Sequence, residues 1–132
     1  MDKKVKHLEF IQGVINRLST NSFLLKGWSV VLVSALFALA ASQSKAGFVY
    51  LAYFPAAVFW GLDGYFLALE RAYRRLYDRV RQMKEEDIDF SMDVSGLHEG
   101  FGAWAESTLS KTLIPFHGAL IGAVLLVMFI YL

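Results

Sequence analysis

Cysteine is absent from the 132 residues, which excludes disulfides, thiolate catalysis and Cys-ligated metals. Charged residues are scarce at 19%, against about 25% for soluble domains. Proline occurs twice, at Pro55 and Pro115, and the three histidines His7, His98 and His117 do not have the spacing of a metal site. There is no phosphate loop, no nucleophile elbow and no pair of carboxylates set across a substrate cleft. An enzyme, a cofactor and a metal are therefore not expected. What is present is apolar: 56% hydrophobic residues and a mean hydropathy of +0.44. These values define an integral membrane protein of one domain.

Residues 1–22 read as an amphipathic helix. Val5, Leu8, Ile11, Ile15 and Leu18 recur at three- and four-residue spacings, with Val14 and Phe10 widening the apolar face. A basic amphipathic segment directly before a span lies at the membrane interface, as an anchor or a packing face. Ser19, Thr20, Asn21 and Ser22 then read as a polar hinge, each able to cap the next helix. The first span covers residues 23–41, with Lys26 snorkelling back to the interface and Trp28 as an interfacial aromatic. The basic leader and the stretch AASQSKA have the outline of a signal peptide. The leader is long and amphipathic, so the segment is expected to be retained.

Residues 42–46 form a tight connector, and residues 47–69 the second span. Pro55 is expected to kink it. Beyond Glu70 the helical pattern continues outside the membrane, with Leu69, Tyr73, Leu76, Val80 and Met83 as a short heptad-like stripe. Six basic residues, Arg71, Arg74, Arg75, Arg79, Arg81 and Lys84, occupy the other faces. The acidic run Glu85, Glu86 and Asp87 closes this helix, since acids oppose the dipole at a C-terminus.

In residues 88–94 the period changes to alternation, Ile88, Phe90, Met92 and Val94 against Asp89, Ser91 and Asp93. Without a second strand in the chain, this is either an extended loop or a segment that packs on another subunit. Residues 99–110 read as a short helix leading back to the membrane. The third span lies in residues 112–132 and contains GALIGA, so Gly118 and Gly122 form a small-xxx-small face for oligomer packing.

The basic residues set the topology. Residues 1–27 carry five Lys/Arg, the connector only Lys45, and residues 70–111 carry seven. Both polar segments are then cytoplasmic, with the hairpin tip and the C-terminus outside. The fold expected is an all-α integral membrane protein with an N-terminal amphipathic helix and three transmembrane helices, the second extended into the cytoplasm. Three spans do not readily enclose a pore, so conduction requires a symmetric homo-oligomer.

Asp63 is the sharpest residue, an acid about 12 Å outward of Arg71 near the boundary of the hydrocarbon. His117 falls at a similar depth on the third span. The two form either part of an ion path or a buried structural hydrogen bond at a kink. The arginines Arg71, Arg74, Arg75 and Arg79 have three readings: positive-inside topology, anionic lipid headgroups, or a basic ring binding single-stranded nucleic acid through phosphate contacts. A non-conducting adaptor that docks a cytoplasmic protein is the rival to a channel.

Two blocks, LEFIQGVINRLSTNSFLLKGW and FWGLDGYFLALERAYRRLYD, carry a resemblance to the small three-span membrane effectors of bacterial antiphage systems. The chain most resembles the membrane subunits of the Hailong system, which are encoded beside a nucleotidyltransferase. The resemblance implies a tetrameric ion channel of the bacterial inner membrane, held shut by single-stranded oligodeoxyadenylate that the partner enzyme makes. Release of the nucleic acid then depolarises the membrane and arrests growth. It also implies an aromatic constriction on the cytoplasmic side, for which Phe90, Phe101 and Trp104 are the local candidates.

Overall fold

The computed structural model describes residues 2–43, 45–97 and 100–131. It comprises α1 (Asp2–Gln43), α2 (Gly47–Leu51), α3 (Tyr53–Arg81), α4 (Phe101–Thr108) and α5 (Ile114–Tyr131), with a 3-10 turn at Glu85–Asp87. There are no strands among the described residues. Three stretches are long and apolar enough to cross a membrane: Asp2–Gln43, Gly47–Arg81 and Ile114–Tyr131.

The hinge expected at Ser19–Ser22 is absent, because α1 runs unbroken for 42 residues. The polar side chains that suggest a cap are used otherwise. Thr20 Oγ1 donates back to the Asn16 carbonyl at 3.0 Å, and Ser22 Oγ donates to Asp63. A 42-residue helix is about 63 Å long, twice the ~30 Å hydrocarbon thickness. The amphipathic segment and the first span are therefore two halves of one rod.

Pro55 acts three residues upstream of its own position. Its missing N–H leaves the Leu51 carbonyl without the usual helical donor, and the helix is interrupted at Ala52, between α2 and α3. Pro55 then sits in the first turn of α3, where no intrahelical N–H is needed.

Helices α1 and α3 pack along each other antiparallel and share two apolar cores. Nearer the hairpin tip, Val33, Ala40, Val49, Ala52, Ala56 and Val124 bring together α1, α2, α3 and α5. At the basic end, Ile11, Ile15, Leu76 and Val80 pack together with Tyr73, Met83 and Leu8 around them. Truncating Ile15 or Leu76 there to Ala costs about 2–5 kcal/mol. Tyr73, Leu76, Val80 and Met83 of the heptad-like stripe are covered by α1 of the same chain. The unbroken rod reaches far enough to lie on it.

The acidic run does not close α3, which ends at Arg81. It forms the separate 3-10 turn, and Glu85 accepts from the backbone N–H groups of Lys3 at 2.8 Å and Lys4 at 3.3 Å. A carboxylate from the far end of the hairpin thus caps the first turn of α1, where the helix dipole favours a negative charge.

Residues 88–94 are an extended loop that packs on its own subunit. Ile88, Met92 and Val94 join the basic-end core. The polar residues of the alternation satisfy the backbone that a neighbouring strand would otherwise serve. Ser91 N–H donates to Asp89 Oδ1 at 3.1 Å, Asp93 N–H to Ser91 Oγ at 3.3 Å, and Ser95 N–H to Asp93 Oδ1 at 2.9 Å. The loop is tied down by His7, whose Nε2 donates to the Ser91 carbonyl at 2.8 Å. The short helix expected over residues 99–110 is α4; His98 and Glu99 lie outside the described residues.

Candidate functional site

The one charged constellation inside the spans, among the described residues, lies between the two apolar cores. Asp63, fully buried on α3, accepts from three side chains on two other helices. Lys26 Nζ of α1 lies 2.6 Å from Oδ2, and His117 Nε2 of α5 donates to the same oxygen at 2.7 Å. Ser22 Oγ of α1 donates to Oδ1, and Lys26 Nζ also reaches Ser22 Oγ at 2.8 Å. A carboxylate that loses its water costs several kcal/mol unless it is paired and hydrogen-bonded, and here both oxygens are engaged.

The glycines flanking Asp63 face α4, and aromatic rings pack around the His117 side of the cluster. Trp60 stacks on the His117 ring with centroids 5.7 Å apart and planes 5° from parallel, and Phe116 meets the same ring edge-on at 5.0 Å. Trp60 Nε1 donates to the Thr108 carbonyl at 2.8 Å, and Trp104 Nε1 to the Gly61 carbonyl at 2.9 Å. These two indole bonds fasten α4 to α3. Gly64 lies against Thr108, where an added Cβ would sit 3.0 Å from the Thr108 Cβ. With Nε2 donating to Asp63, His117 Nδ1 is a buried atom left without a partner, which is less costly as a lone pair than as an N–H. A cleft of about 340 Å³ opens on the Lys26 side, bounded by Ser19, Phe66, Glu70 and Thr112.

Asp63 and His117, placed at one depth by the sequence, meet directly. Lys26, expected to snorkel outward, instead turns inward to Asp63. That pairing has a signal, since an acid and a base each set inside an apolar span seek each other. Ser22 is hidden in the supposed hinge.

The arginines divide. Arg71 Nη1 donates to Ser107 Oγ of α4 at 3.4 Å, and Arg74 pairs with Glu70 at 3.8 Å. Hydrogen bonds from Ser95 hold the Asp93 carboxyl below its ordinary pKa, and Arg79 lies near enough to add to that effect. Arg75 is exposed and makes no ion pair among the described residues.

The aromatic candidates also divide. Phe101 and Trp104 pair at 5.5 Å on α4, level with Gly61. Phe90 packs on His7 at 5.5 Å and on Phe10 at 6.0 Å, beside the Val80 end of α3. Nineteen residues of helix separate these levels, roughly 28 Å, so Phe90 and Trp104 do not share one constriction. Phe90 also holds a left-handed backbone (φ 56°), which a bulky residue rarely adopts. Gly118 and Gly122 are not covered, and no other helix lies within 4 Å of where their Cβ atoms would be.

Among the described residues no group of three His, Asp or Glu side chains could hold a metal ion. No protein family, curated protein or solved structure matches the chain. The geometry defines a three-span helical membrane protein braced by a buried carboxylate.

Proposed function

We propose that the chain is the membrane subunit of an oligomeric, ligand-gated ion channel that acts in bacterial antiphage defence. Its basic end faces the cytoplasm and its C-terminus the outside of the inner membrane. An anionic single-stranded oligonucleotide, the product of a partner nucleotidyltransferase, controls it through phosphate contacts to the arginine face. Loss of that control depolarises the membrane and arrests growth.

The observation that carries the reading is how little of each span is covered within one chain. Of the most apolar stretch of each, 17%, 28% and 11% is buried. Such faces meet either lipid or other subunits, and the open Gly118/Gly122 face suits a second helix. A tetramer is the state the family resemblance favours. The outward-facing Arg74 and Arg79 would then repeat around the axis as a basic mouth.

The non-conducting adaptor is the alternative, and one observation favours it. Asp63 is 0% exposed within one chain and its partners come from the same subunit, which supports a brace over a place in an ion path. Conductance of the purified protein in planar bilayers, with and without oligodeoxyadenylate, tests the proposal. Currents suppressed by the oligonucleotide in a salt-dependent way are expected. A silent bilayer under both conditions overturns it.

A further inference from the structure

A second cleft, of about 360 Å³, lies between α3 and α4 on the face away from the Asp63 cluster. Its walls are apolar: Tyr65, Ala68, Leu69 and Ala72 from α3, Phe101 and Trp104 from α4. Phe101 is 79% exposed and Tyr65 52%, so two large rings stand at its rim with little protein over them. The volume falls in the ordinary range for small-ligand sites, and the lining offers hydrocarbon contact with almost no polar group.

Position and charge identify the occupant. Tyr65 to Ala72 is where the apolar run of α3 passes into the basic run, at the edge of the hydrocarbon layer. Indole and phenol rings favour that level of a membrane. Ala68, Ala72 and Arg75 follow at intervals of four and three residues, which puts them on one face of α3. Arg75 therefore stands about 4.5 Å along the axis beyond the cleft floor, on its basic side. It is the arginine of the face that no carboxylate neutralises among the described residues, while Arg71 on the cleft's flank is tied to α4 through Ser107.

We infer that this cleft is a binding site for one anionic phospholipid, with an acyl chain against Leu69, Ala72 and Trp104 and the headgroup phosphate on Arg75. An acyl chain in an apolar slot and a phosphate on an adjacent guanidinium match the two halves of the site in order along the helix. An oligonucleotide matches only the second half. The inference is independent of channel activity, since it needs only the spans and the cleft.

The test uses the full chain in vesicles of phosphatidylcholine containing a minority of phosphatidylglycerol, followed by native mass spectrometry of the detergent-released protein. Retained phosphatidylglycerol, in excess over phosphatidylcholine, is expected. Arg75→Gln lowers that excess about fivefold, the weight of one basic side chain at an anionic surface, and Arg75→Lys keeps most of it. Ala72→Phe, which fills the slot, lowers retention of both lipids, while millimolar inorganic phosphate displaces neither. Equal retention of the two lipids by the native protein overturns the site, as does an Arg75→Gln protein with undiminished preference. Displacement by phosphate alone would show that no acyl chain is held. The absence of native cysteine gives a further arm: a Phe101→Cys protein that forms intermolecular disulfides in the vesicle would show a second copy over the cleft, which also overturns the proposal.

Discussion

Lys26 and Asp63 form an ion pair of 2.6 Å between α1 and α3, and His117 of α5 shares the same carboxylate oxygen at 2.7 Å. One side chain thus pins all three spans at one depth. Between helices in lipid there is no hydrophobic driving force, so such polar contacts and close packing decide which faces meet.

Lys26→Met leaves the Asp63 carboxylate buried without its ammonium partner, and the expected cost is about 3–5 kcal/mol. Adding Asp63→Asn to the same protein recovers most of this, because two neutral groups replace a charge left alone. Thermal unfolding in detergent, followed by helical circular dichroism, reads both. A Lys26→Met protein as stable as the native one would show that the pair contributes nothing.

Gly64→Ala tests the docking of α4. The new methyl would lie 3.2 Å from the Thr108 Cα and 3.0 Å from its Cβ, so Thr108 must give way. Overpacking of this kind costs about 1–3 kcal/mol. Gly61→Ala is the control, with only the Trp104 ring at 3.6 Å, an ordinary contact. Hydrogen exchange in residues 101–108 is expected to rise in the first variant and to stay put in the second. Equal exchange in both would mean that α4 is not seated on Gly64.

Much of this arrangement is legible in the sequence, and the misses share a cause. Length and hydropathy give the three spans, and residue counts give the common depth of Asp63 and His117. Depth along a helix is not direction around it, so Lys26 reads as a snorkelling residue although it faces inward. The stripe of Leu76 and Val80 is visible, but its partner depends on α1 being one rod, which polar residues 19–22 disguise. In residues 88–94 the alternation is plain as well. What the pattern does not state is that Asp89, Ser91 and Asp93 accept from the backbone themselves, making a partner strand unnecessary.

That loop carries a pH dependence. Hydrogen bonds from the Ser95 hydroxyl and backbone N–H lower the Asp93 pKa from 3.8, with Arg79 adding to the effect. A carboxyl whose pKa is lower in the folded protein adds stability that is complete above its unfolded value. That contribution fades as pH falls below about 3.8 and through the lower folded value. Peptic cleavage within residues 88–97 should therefore quicken as the pH drops in this window. In Asp93→Ala the loop is cut faster throughout, with a weaker dependence on pH. An unchanged profile in the variant would assign the acid sensitivity to other groups.

The open face of α5 decides between a lone subunit and an assembly. A Cβ added at Gly122 would meet no atom within 4 Å, and one at Gly118 would meet only Ile114 of the same helix, at 3.9 Å. Gly122→Leu should therefore leave the thermal stability of the single subunit unchanged. If the proposed oligomer packs through this face, the same substitution blocks the close approach of a second helix and lowers the mass of the detergent-solubilised complex in light scattering. A native-sized complex from the variant would move the interface elsewhere, to the exposed side of α1 around Val30, Val31 and Leu32, where the next substitution belongs. A native protein that is itself monomeric in lipid nanodiscs would remove the symmetric pore, since three spans from one chain do not surround a path.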